Sequence, residues 1–287
     1  MILITGSGGK TGRAVSAALS REGHKLRLFR RQRGDSASVE GSGGEIYVGD
    51  LERPEEVAQA CAGVEAVYHI GPNMHPRERQ IGLTAIEAAK QEGVQHFVYH
   101  SVLFPQVKAM PHHWRKLEVE QALIESGLAF TILQPAAYYQ NFGNRWSEIL
   151  QESTYRVPYP LETRLSLVDL MDVAEAAATV MLESEHAYAM YPLVGPESPN
   201  QRQVAEAMSD VSGRRIKPVE IEPEAWAREA RDSGMEGHRV GDFVSMFRYY
   251  ADHEFLGNPW VLKKLLGRDP VGLDEYLGAL AAEHKGR

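Results

Sequence analysis

Short apolar runs and amphipathic segments alternate through the first half of the chain. The apolar runs have the length of buried strands, whereas the segments between them repeat apolar residues at helical spacing, as Val15, Ala18 and Leu19 do. The predicted strands are 2–5, 25–29, 45–48, 66–70, 96–101 and 129–133. The predicted helices between them are 13–21, 54–62, 78–91 and 114–125.

This alternation predicts parallel βαβ units joined by right-handed crossovers. The expected fold class is therefore α/β: a Rossmann-type doubly wound parallel sheet with a smaller, mostly helical C-terminal lobe. A doubly wound sheet binds its ligand beyond the carboxyl ends of its strands. The loops of interest begin at Gly6, Arg30, Gly49, Gly71, Val102 and Pro135.

The second half of the chain has a less regular pattern. Residues 136–165 are rich in aromatic residues and proline and show no clear period. Beyond them, the sequence predicts helices at 166–183, 201–211, 223–232 and 242–256, and a strand at 191–194. We assign residues 1–135 and about 166–195 to the Rossmann domain. Residues 136–165 and 196–287 are expected to form a lobe that closes over the ligand.

Charge and composition narrow the class of protein. The formal net charge of -8 opposes a phosphate backbone at long range, so we expect no direct nucleic-acid partner. The single cysteine, Cys61, excludes a disulfide within the chain and fits a reducing compartment. The N-terminus resembles no signal peptide, and no apolar run approaches the roughly 20 residues that cross a bilayer. We therefore predict a cytoplasmic protein with no membrane partner.

The loop after the first strand carries the strongest chemical signal. Its glycines have separate tasks: a tight turn, a close approach of the backbone to a pyrophosphate, and contact between helix and strand. The following helix would offer its N–H groups to phosphates, with a charge and a hydroxyl from side chains nearby. A flexible loop is the alternative, but the strand before and the helix after favour a dinucleotide site. The residues involved are Gly6, Ser7, Gly9, Lys10, Thr11 and Gly12.

Basic residues at the end of the second strand indicate which dinucleotide binds. An NAD site usually has an acidic residue there, whereas this chain has Arg30 and Arg31, whose planar groups suit a 2′-phosphate. We therefore predict NADP(H), with a solvated loop as the alternative. Asp50 is expected either to accept a hydrogen bond from the adenine amine or to cap the helix near Pro54. The whole basic cluster comprises Arg27, Arg30, Arg31 and Arg33.

Several motifs, taken in order, resemble those of one known family. They are the glycine loop, Gly49-Asp50-Leu51, Ile132-Leu133-Gln134-Pro135 with Asn141-Phe142, Leu167-Val168-Asp169 with Asp172-Val173-Ala174, and Leu265-Leu266-Gly267-Arg268. This combination resembles the NmrA-like family, which belongs to the atypical short-chain dehydrogenase/reductase group. Its members include redox-sensing regulators, NADPH:quinone reductases and isoflavone-reductase-like enzymes.

The resemblance implies that NADPH binds between the Rossmann domain and the small lobe. It implies contacts beyond the glycine loop from residues at the ends of several strands and from one helix. These residues are Arg30, Arg31, Asp50, Leu51, Gly71, Pro72, Asn73, Ser101, Lys116, Pro135 and Tyr138.

The catalytic pair of ordinary short-chain dehydrogenases is incomplete in this chain. Lys116 is present, but His112 stands four residues before it, where those enzymes have the tyrosine that donates a proton. Lys116 is then either the acid/base or a ribose ligand, and His112 is a second candidate proton donor. We expect no metal, because the adjacent His112 and His113 lack a third ligand at zinc-site spacing.

Two functions remain open from the sequence. The first is an NADPH-dependent oxidoreductase that reduces a small, flat quinone- or carbonyl-type substrate. In that case Tyr138, Tyr139 and Phe142 either line the substrate pocket or pack the lobe interface. The second is a non-catalytic NADP(H)-sensing regulator that binds a protein partner. A sugar-nucleotide epimerase is weaker, because such enzymes need the missing tyrosine. A homodimer is compatible with either function.

Overall fold

A computed structural model of the protein describes residues 1–32 and 44–285. Its strands are β1 (Ile2–Ile4), β2 (Leu26–Arg30), β3 (Glu45–Val48), β4 (Ala66–His69), β5 (His96–His100), β6 (Phe130–Pro135), β7 (Ala137–Tyr138), β8 (Thr154–Val157), β9 (Leu167–Val168), β10 (Ala189–Leu193) and β11 (Lys217–Glu220). Its α-helices are α1 (Lys10–Arg21), α2 (Pro54–Cys61), α3 (Glu78–Gln91), α4 (Pro111–Glu125), α5 (Gln140–Gly143), α6 (Trp146–Glu152), α7 (Leu170–Leu182), α8 (Gln201–Ser212), α9 (Pro223–Asp232), α10 (Gly237–His253), α11 (Trp260–Leu266) and α12 (Leu273–Lys285).

Seven strands of the described ranges form one sheet, in the order β10-β6-β5-β4-β1-β2-β3. The pairs β1 with β2, β2 with β3, β1 with β4, β4 with β5 and β5 with β6 are all parallel. This order confirms the predicted Rossmann-type doubly wound sheet. Because the chain winds outward in both directions from the middle, the topological switch point lies between β1 and β4. The loops that follow these two strands therefore lie where such sheets bind ligands.

The strands at the switch point are buried on both faces, as a parallel sheet covered by helices requires. On α1, Val15 and Leu19 are fully buried, and burying each such side chain contributes about 1.5–3 kcal/mol. Helices α3 and α4 approach closely at Gly82, where a Cβ would lie 2.5 Å from a methyl carbon of Val119. The sheet and these helices thus fix the positions of the loops that follow β1, β4 and β5.

The chain divides into two compact units. The first unit, which holds most of the sheet, comprises Met1–Lys108, His112–Pro135 and Val173–Tyr191. The second comprises Ala109–Pro111, Ala136–Asp172 and Pro192–Arg287. Its core includes Tyr139, Trp146, Val204 and Leu277. Whether these units act as cofactor domain and substrate lobe stays a prediction, and so do the proposed boundaries.

Several elements of the second half differ from those that the pattern predicts. The helix expected at 166–183 begins at Leu170, because β9 precedes it and the Asp169 carboxylate accepts a hydrogen bond from the N–H of Met171 at 2.6 Å. Helix α10 spans Gly237–His253, whereas the prediction was 242–256. The short elements β7, β8, β11, α5 and α6 and the helices α11 and α12 were not predicted. In the part of the chain that is described, no helix has the length and apolarity to cross a membrane.

Candidate functional site

Two glycines of the loop after β1 occupy positions that exclude a side chain. Gly6 has a φ of 60°, and a Cβ there would lie 2.9 Å from the carbonyl oxygen of Ile70. A Cβ on Gly12 would lie 2.3 Å from the carbonyl oxygen of Gly6, well inside van der Waals contact. The N–H of Gly9 donates to that same oxygen at 2.9 Å and closes the turn. The loop is therefore a tight backbone cradle, as the glycine spacing predicts.

The N-terminal end of α1 has the character of an anion site. Gly9 is the N-cap and supplies no capping side chain, and the first turn contains no acidic residue. Lys10 is half-buried there, and burial lowers its pKa. Arg13, a residue that the sequence analysis did not select, donates a hydrogen bond to the carbonyl oxygen of Gly8. The helix dipole and these two cations together favour a phosphate group next to the loop.

Arg30 lies beside the glycine loop. Its Nε donates to Oγ of Ser7 at 3.3 Å, and the Ser7 hydroxyl donates to the carbonyl oxygen of Phe29 at 2.9 Å. Arg31 is exposed. Arg27 faces elsewhere, because it pairs with Glu45 at 2.9 Å and donates to two backbone carbonyls at the C-terminal end of α2. Of the predicted basic cluster, Arg30 thus lies at the loop, a 2′-phosphate contact of Arg31 stays a prediction, and Arg33 lies outside the described residues.

Asp50 organises the turn between β3 and α2. Its carboxylate accepts a hydrogen bond from the N–H of Glu52 at 3.0 Å, while its own N–H donates to the Glu56 carboxylate at 2.7 Å. The N-cap of α2 is Arg53, which makes no side-chain cap, so the alternative that Asp50 caps this helix is wrong. Leu51 packs partly against the core of the first unit. Contact of Asp50 and Leu51 with adenine stays a prediction.

A buried hydrogen-bond network joins the ends of β1 and β4. The Thr5 hydroxyl lies 3.0 Å from Nδ1 of His69 and accepts the N–H of Ile70 at 2.8 Å. These hydrogen bonds hold the start of the Gly71–Asn73 loop next to the glycine loop. The two loops follow β4 and β1, the strands on either side of the switch point. Gly71 and Pro72 are half-buried, and Asn73 is exposed.

Lys116 lies on α4 and is almost completely buried. Its Nζ is 2.5 Å from Oε1 of Glu78, at the start of α3, and 5.8 Å from the centre of the Tyr99 ring on β5. Ser101 is buried directly after β5, and its N–H donates to the carbonyl oxygen of Leu133 at 2.8 Å. Glu120, one turn after Lys116, accepts two hydrogen bonds from the amide of Gln134 at 3.0 and 3.1 Å. The first unit therefore brings Ser101 and Lys116 into a buried polar region.

The histidines of this region are uncharged at neutral pH. Burial, assisted by the positive charge of Lys116, lowers the pKa of His69 and of His100 to about 3. Burial lowers the pKa of His113 to about 4. His112 is 4% exposed, and burial together with the charges of His113, Lys116 and Arg115 lowers its pKa to about 2. A histidine with so low a pKa holds no extra proton at neutral pH, which argues against the predicted role of His112 as proton donor.

The remaining predicted residues follow one another from the end of β6 to α5. Pro135 ends β6 and is buried, and Tyr138 is half-buried on β7 in the second unit. Tyr139 and Phe142 pack in the core of the second unit, with the Tyr139 ring stacked on Tyr276 at 5.5 Å. Both rings therefore pack within one unit, and a role of Tyr138, Tyr139 or Phe142 in a substrate pocket or at the lobe interface stays a prediction. No group of three potential ligands among the described His, Cys, Asp and Glu residues is placed to hold a metal ion.

Besides Arg13, the sequence analysis did not select Thr5, His69, Glu78, Tyr99 and Glu120. Thr5, His69 and Tyr99 lie at or near the carboxyl ends of buried strands, and that position was the available signal. Nothing local in the sequence marks Glu78 as the partner of Lys116, because 38 residues separate them and the fold joins them.

A comparison with known families explains this combination of cradle, basic residue and buried lysine. The model of the NmrA-like family matches residues 1–277. The chain belongs to the NmrA-like family. The resemblance seen in the sequence motifs is thereby confirmed.

Reductases are among the most similar relatives of this chain. An NAD(P)H azoreductase of Xenophilus azovorans is 27% identical over 285 residues, which cover 98% of each chain. The structure of the NADPH-dependent quinone oxidoreductase QOR2 of Escherichia coli with NADPH superposes with a TM-score of 0.87 at 21% identity, covering 98% of this chain and 99% of that one. A triphenylmethane reductase of Citrobacter sp. with NADP(H) gives 0.85 at 22% identity and the same coverage.

Proposed function

We propose that this protein is an NADPH-dependent oxidoreductase that reduces a small, flat quinone- or carbonyl-type compound. The observation that carries the proposal is the backbone cradle at Gly6 and Gly12 with Arg30 held beside it by Ser7. A cradle that a single Cβ would fill suits a pyrophosphate, and a guanidinium at its edge suits a 2′-phosphate. Relatives named as an NAD(P)H azoreductase and an NADPH-dependent quinone oxidoreductase support the same activity.

In this proposal, different residues of the first unit bind different groups of the cofactor. The Gly8 to Thr11 backbone and the start of α1 would hold the pyrophosphate, and Arg30 with Arg31 the 2′-phosphate. Asp50 and Leu51 would lie against adenine. The loop Gly71–Asn73 would follow the cofactor across the switch point. Ser101 and Lys116 would face the nicotinamide ribose. These residues fit NADPH because anion-binding groups cluster after β1 and β2, and buried polar groups follow β4 and β5.

The chemistry then needs little from the protein beyond position and charge. Bound NADPH would supply the hydride. Lys116 places a positive charge where a carbonyl oxygen gains electron density, and such a charge stabilises the transition state most strongly in a buried region. His112 is unsuited to donate the proton, because its lowered pKa leaves it neutral. The proton comes from Lys116 or from water, and a reduced quinone accepts such a proton readily.

The proposal is tested by calorimetry with NADPH and NADH, followed by NADPH oxidation with acceptors. The acceptor panel should contain quinones, azo compounds, triphenylmethane dyes and simple carbonyls. We expect micromolar or tighter binding of NADPH, weaker binding of NADH, and turnover with at least one flat acceptor. Tight NADPH binding without turnover on any acceptor favours the regulator that senses NADP(H). If calorimetry detects no binding heat with either nucleotide, both the oxidoreductase and the regulator are excluded.

A further inference from the structure

Glu78 is buried in the same region as Lys116. The proposed reaction described above assigns no role to Glu78. The two side chains form an ion pair at 2.5 Å, with 8% of Lys116 and 1% of Glu78 exposed. Charged side chains are almost never buried this deeply unless they are paired. Removing one member of a buried pair leaves an uncompensated charge, which is strongly unfavourable. The charge of Lys116 therefore depends on Glu78.

The other groups around Lys116 do not supply an equivalent counter-charge. His69 on β4, His100 on β5, and His112 and His113 on α4 all have pKa values lowered by burial, to which the charge of Lys116 contributes. Tyr99 on β5 faces Lys116 with its ring, and burial raises the pKa of its hydroxyl. Arg115, the residue next to Lys116 on α4, is cationic.

Glu120 is the other carboxyl group near Lys116. Burial raises its pKa, although hydrogen bonds from Ser101 and Gln134 and the charge of Lys116 act in the opposite direction. Its carboxylate accepts hydrogen bonds from the Gln134 amide at 3.0 and 3.1 Å, whereas the Glu78 carboxylate lies in direct contact with the ammonium group. Glu78 is consequently the group that offsets the burial of Lys116.

Glu78 also reaches the loop after β4. A Cβ on Gly71 would lie 3.8 Å from Oε1 of Glu78 and 3.9 Å from Nε2 of His69. One carboxylate thus lies against the backbone of the Gly71–Asn73 loop and against Lys116. It couples the position of the lysine to a loop that we assign to the cofactor.

We propose that Glu78 is a positioning residue for the reduction: its carboxylate keeps the Lys116 side chain a permanently charged ammonium group, which serves as a fixed positive charge and hydrogen-bond donor. The inference rests on the proposed function and decides between the two sources of the proton. The acceptor gains a hydride from NADPH, which leaves as NADP⁺, and then takes its proton from solvent water. Lys116 keeps its own proton through the cycle.

The first test measures the protonation of Lys116 without cofactor or substrate. Protein labelled with ¹³C-lysine is titrated by NMR, and Lys116→Met identifies the Lys116 resonance by its loss. In wild type we expect the paired ammonium form to persist to a higher pH than in Glu78→Gln. In Glu78→Gln, burial without a counter-charge should move the midpoint down by about two pH units or more. Glu87→Gln, an exposed change on the same helix, should leave it in place.

The second test follows kcat with pH. Glu78→Gln should lose activity by about tenfold per pH unit above its lowered midpoint, whereas wild type should keep its activity over that range. Glu78→Asp should restore part of the wild-type profile. If Glu78→Gln does not fold, the titration of Glu78→Asp decides, with a lowered midpoint expected.

The two proposals fail separately. An unchanged Lys116 titration in the folded Glu78 variants overturns the role of Glu78, whatever the enzyme turns over. A kcat of Glu78→Gln that keeps the wild-type pH profile, although the Lys116 midpoint has moved down, would also overturn it, because the charge of Lys116 would then not serve the reaction. Absence of NADPH binding to wild type removes the proposed function, while the titration still reports whether Glu78 holds Lys116 charged.

Discussion

At Gly12, the first turn of α1 packs directly against the backbone of the glycine loop, so a side chain at this position would collide with main-chain atoms. A Cβ would meet the carbonyl oxygen of Gly6 at 2.3 Å and Cα of Ser7 at 2.6 Å. Backbone atoms cannot rotate away as the end of a flexible side chain can. The helix would have to move off β1, and with it the N–H groups that we assign to the pyrophosphate.

We therefore expect Gly12→Ala to lower the free energy of unfolding by about 1–3 kcal/mol, the usual cost of overpacking. It should also weaken NADPH binding by more than tenfold. Urea unfolding and calorimetry measure the two effects. Gly278→Ala on α12 is the matched control, because no atom lies within 4 Å of its Cβ position and alanine favours a helix. Wild-type stability and affinity in Gly12→Ala would contradict the cradle geometry.

The same residue scale separates what the sequence reveals from what it hides. The glycines and Arg30 could be found because their function depends on spacing from one strand end, which a linear pattern preserves. Glu78 and Thr5 could not, because each acquires its role from a contact with a distant segment, Lys116 in one case and His69 in the other. Pairing across a sheet or between helices leaves no local trace in the chain.

At the scale of elements, the helices of the first half were predicted well, whereas the two-residue strands and helix α12 were missed. Helix α3 spans the predicted residues 78–91, since fourteen residues carry several repeats of its apolar face. Strands β7 and β9 have two residues each, too few for any period, and they form only by pairing with each other. Polar side chains lie at the carboxyl edge of the sheet, where His69 ends β4 and His100 ends β5, and binding of the ligand at this edge stays a prediction.

That polar edge should make stability depend on pH. His69 ends β4 and His100 ends β5, and the pKa of each is lowered to about 3 in the folded state, against about 6.5 when unfolded. Well above pH 6.5 these histidines are neutral in both the folded and the unfolded state, so the protein has its highest stability with respect to them. As the pH falls from 6.5 towards 3, the histidines bind protons in the unfolded state but not in the folded state, and the free energy of unfolding decreases.

We expect the free energy of unfolding to fall by roughly 1–2 kcal/mol for each such histidine between pH 7 and pH 5. Urea unfolding at several pH values measures this slope. His69→Asn should reduce the slope, whereas His253→Asn, an exposed change on α10, should not. A slope that His69→Asn leaves unaltered would show that His69 is protonated in the folded protein.

On the scale of the whole molecule, the first unit is assembled from three separate stretches of chain. The stretch Val173–Tyr191 returns long after Pro135 and adds α7 and most of β10 to the unit that carries the glycine loop. A sequence pattern shows that β10 is a strand, but it does not show that the strand joins the edge of this sheet beside β6. The loop geometry at the switch point consequently depends on residues throughout the first two-thirds of the chain.

A ligand that binds this geometry should stabilise the unit as a whole. At 100 times its dissociation constant, NADPH should add about 2.7 kcal/mol to the free energy of unfolding, because it binds the folded cradle and not the unfolded chain. Thermal unfolding with NADPH and with NADH at equal concentration measures the difference. Arg30→Ala should remove most of the preference for NADPH, a loss of about 10- to 100-fold, since a charge-assisted guanidinium–phosphate contact contributes about 1.5–3 kcal/mol. Arg21→Ala, at the exposed far end of α1, should keep the preference, and equal shifts by both nucleotides in wild type would exclude Arg30 as the 2′-phosphate ligand.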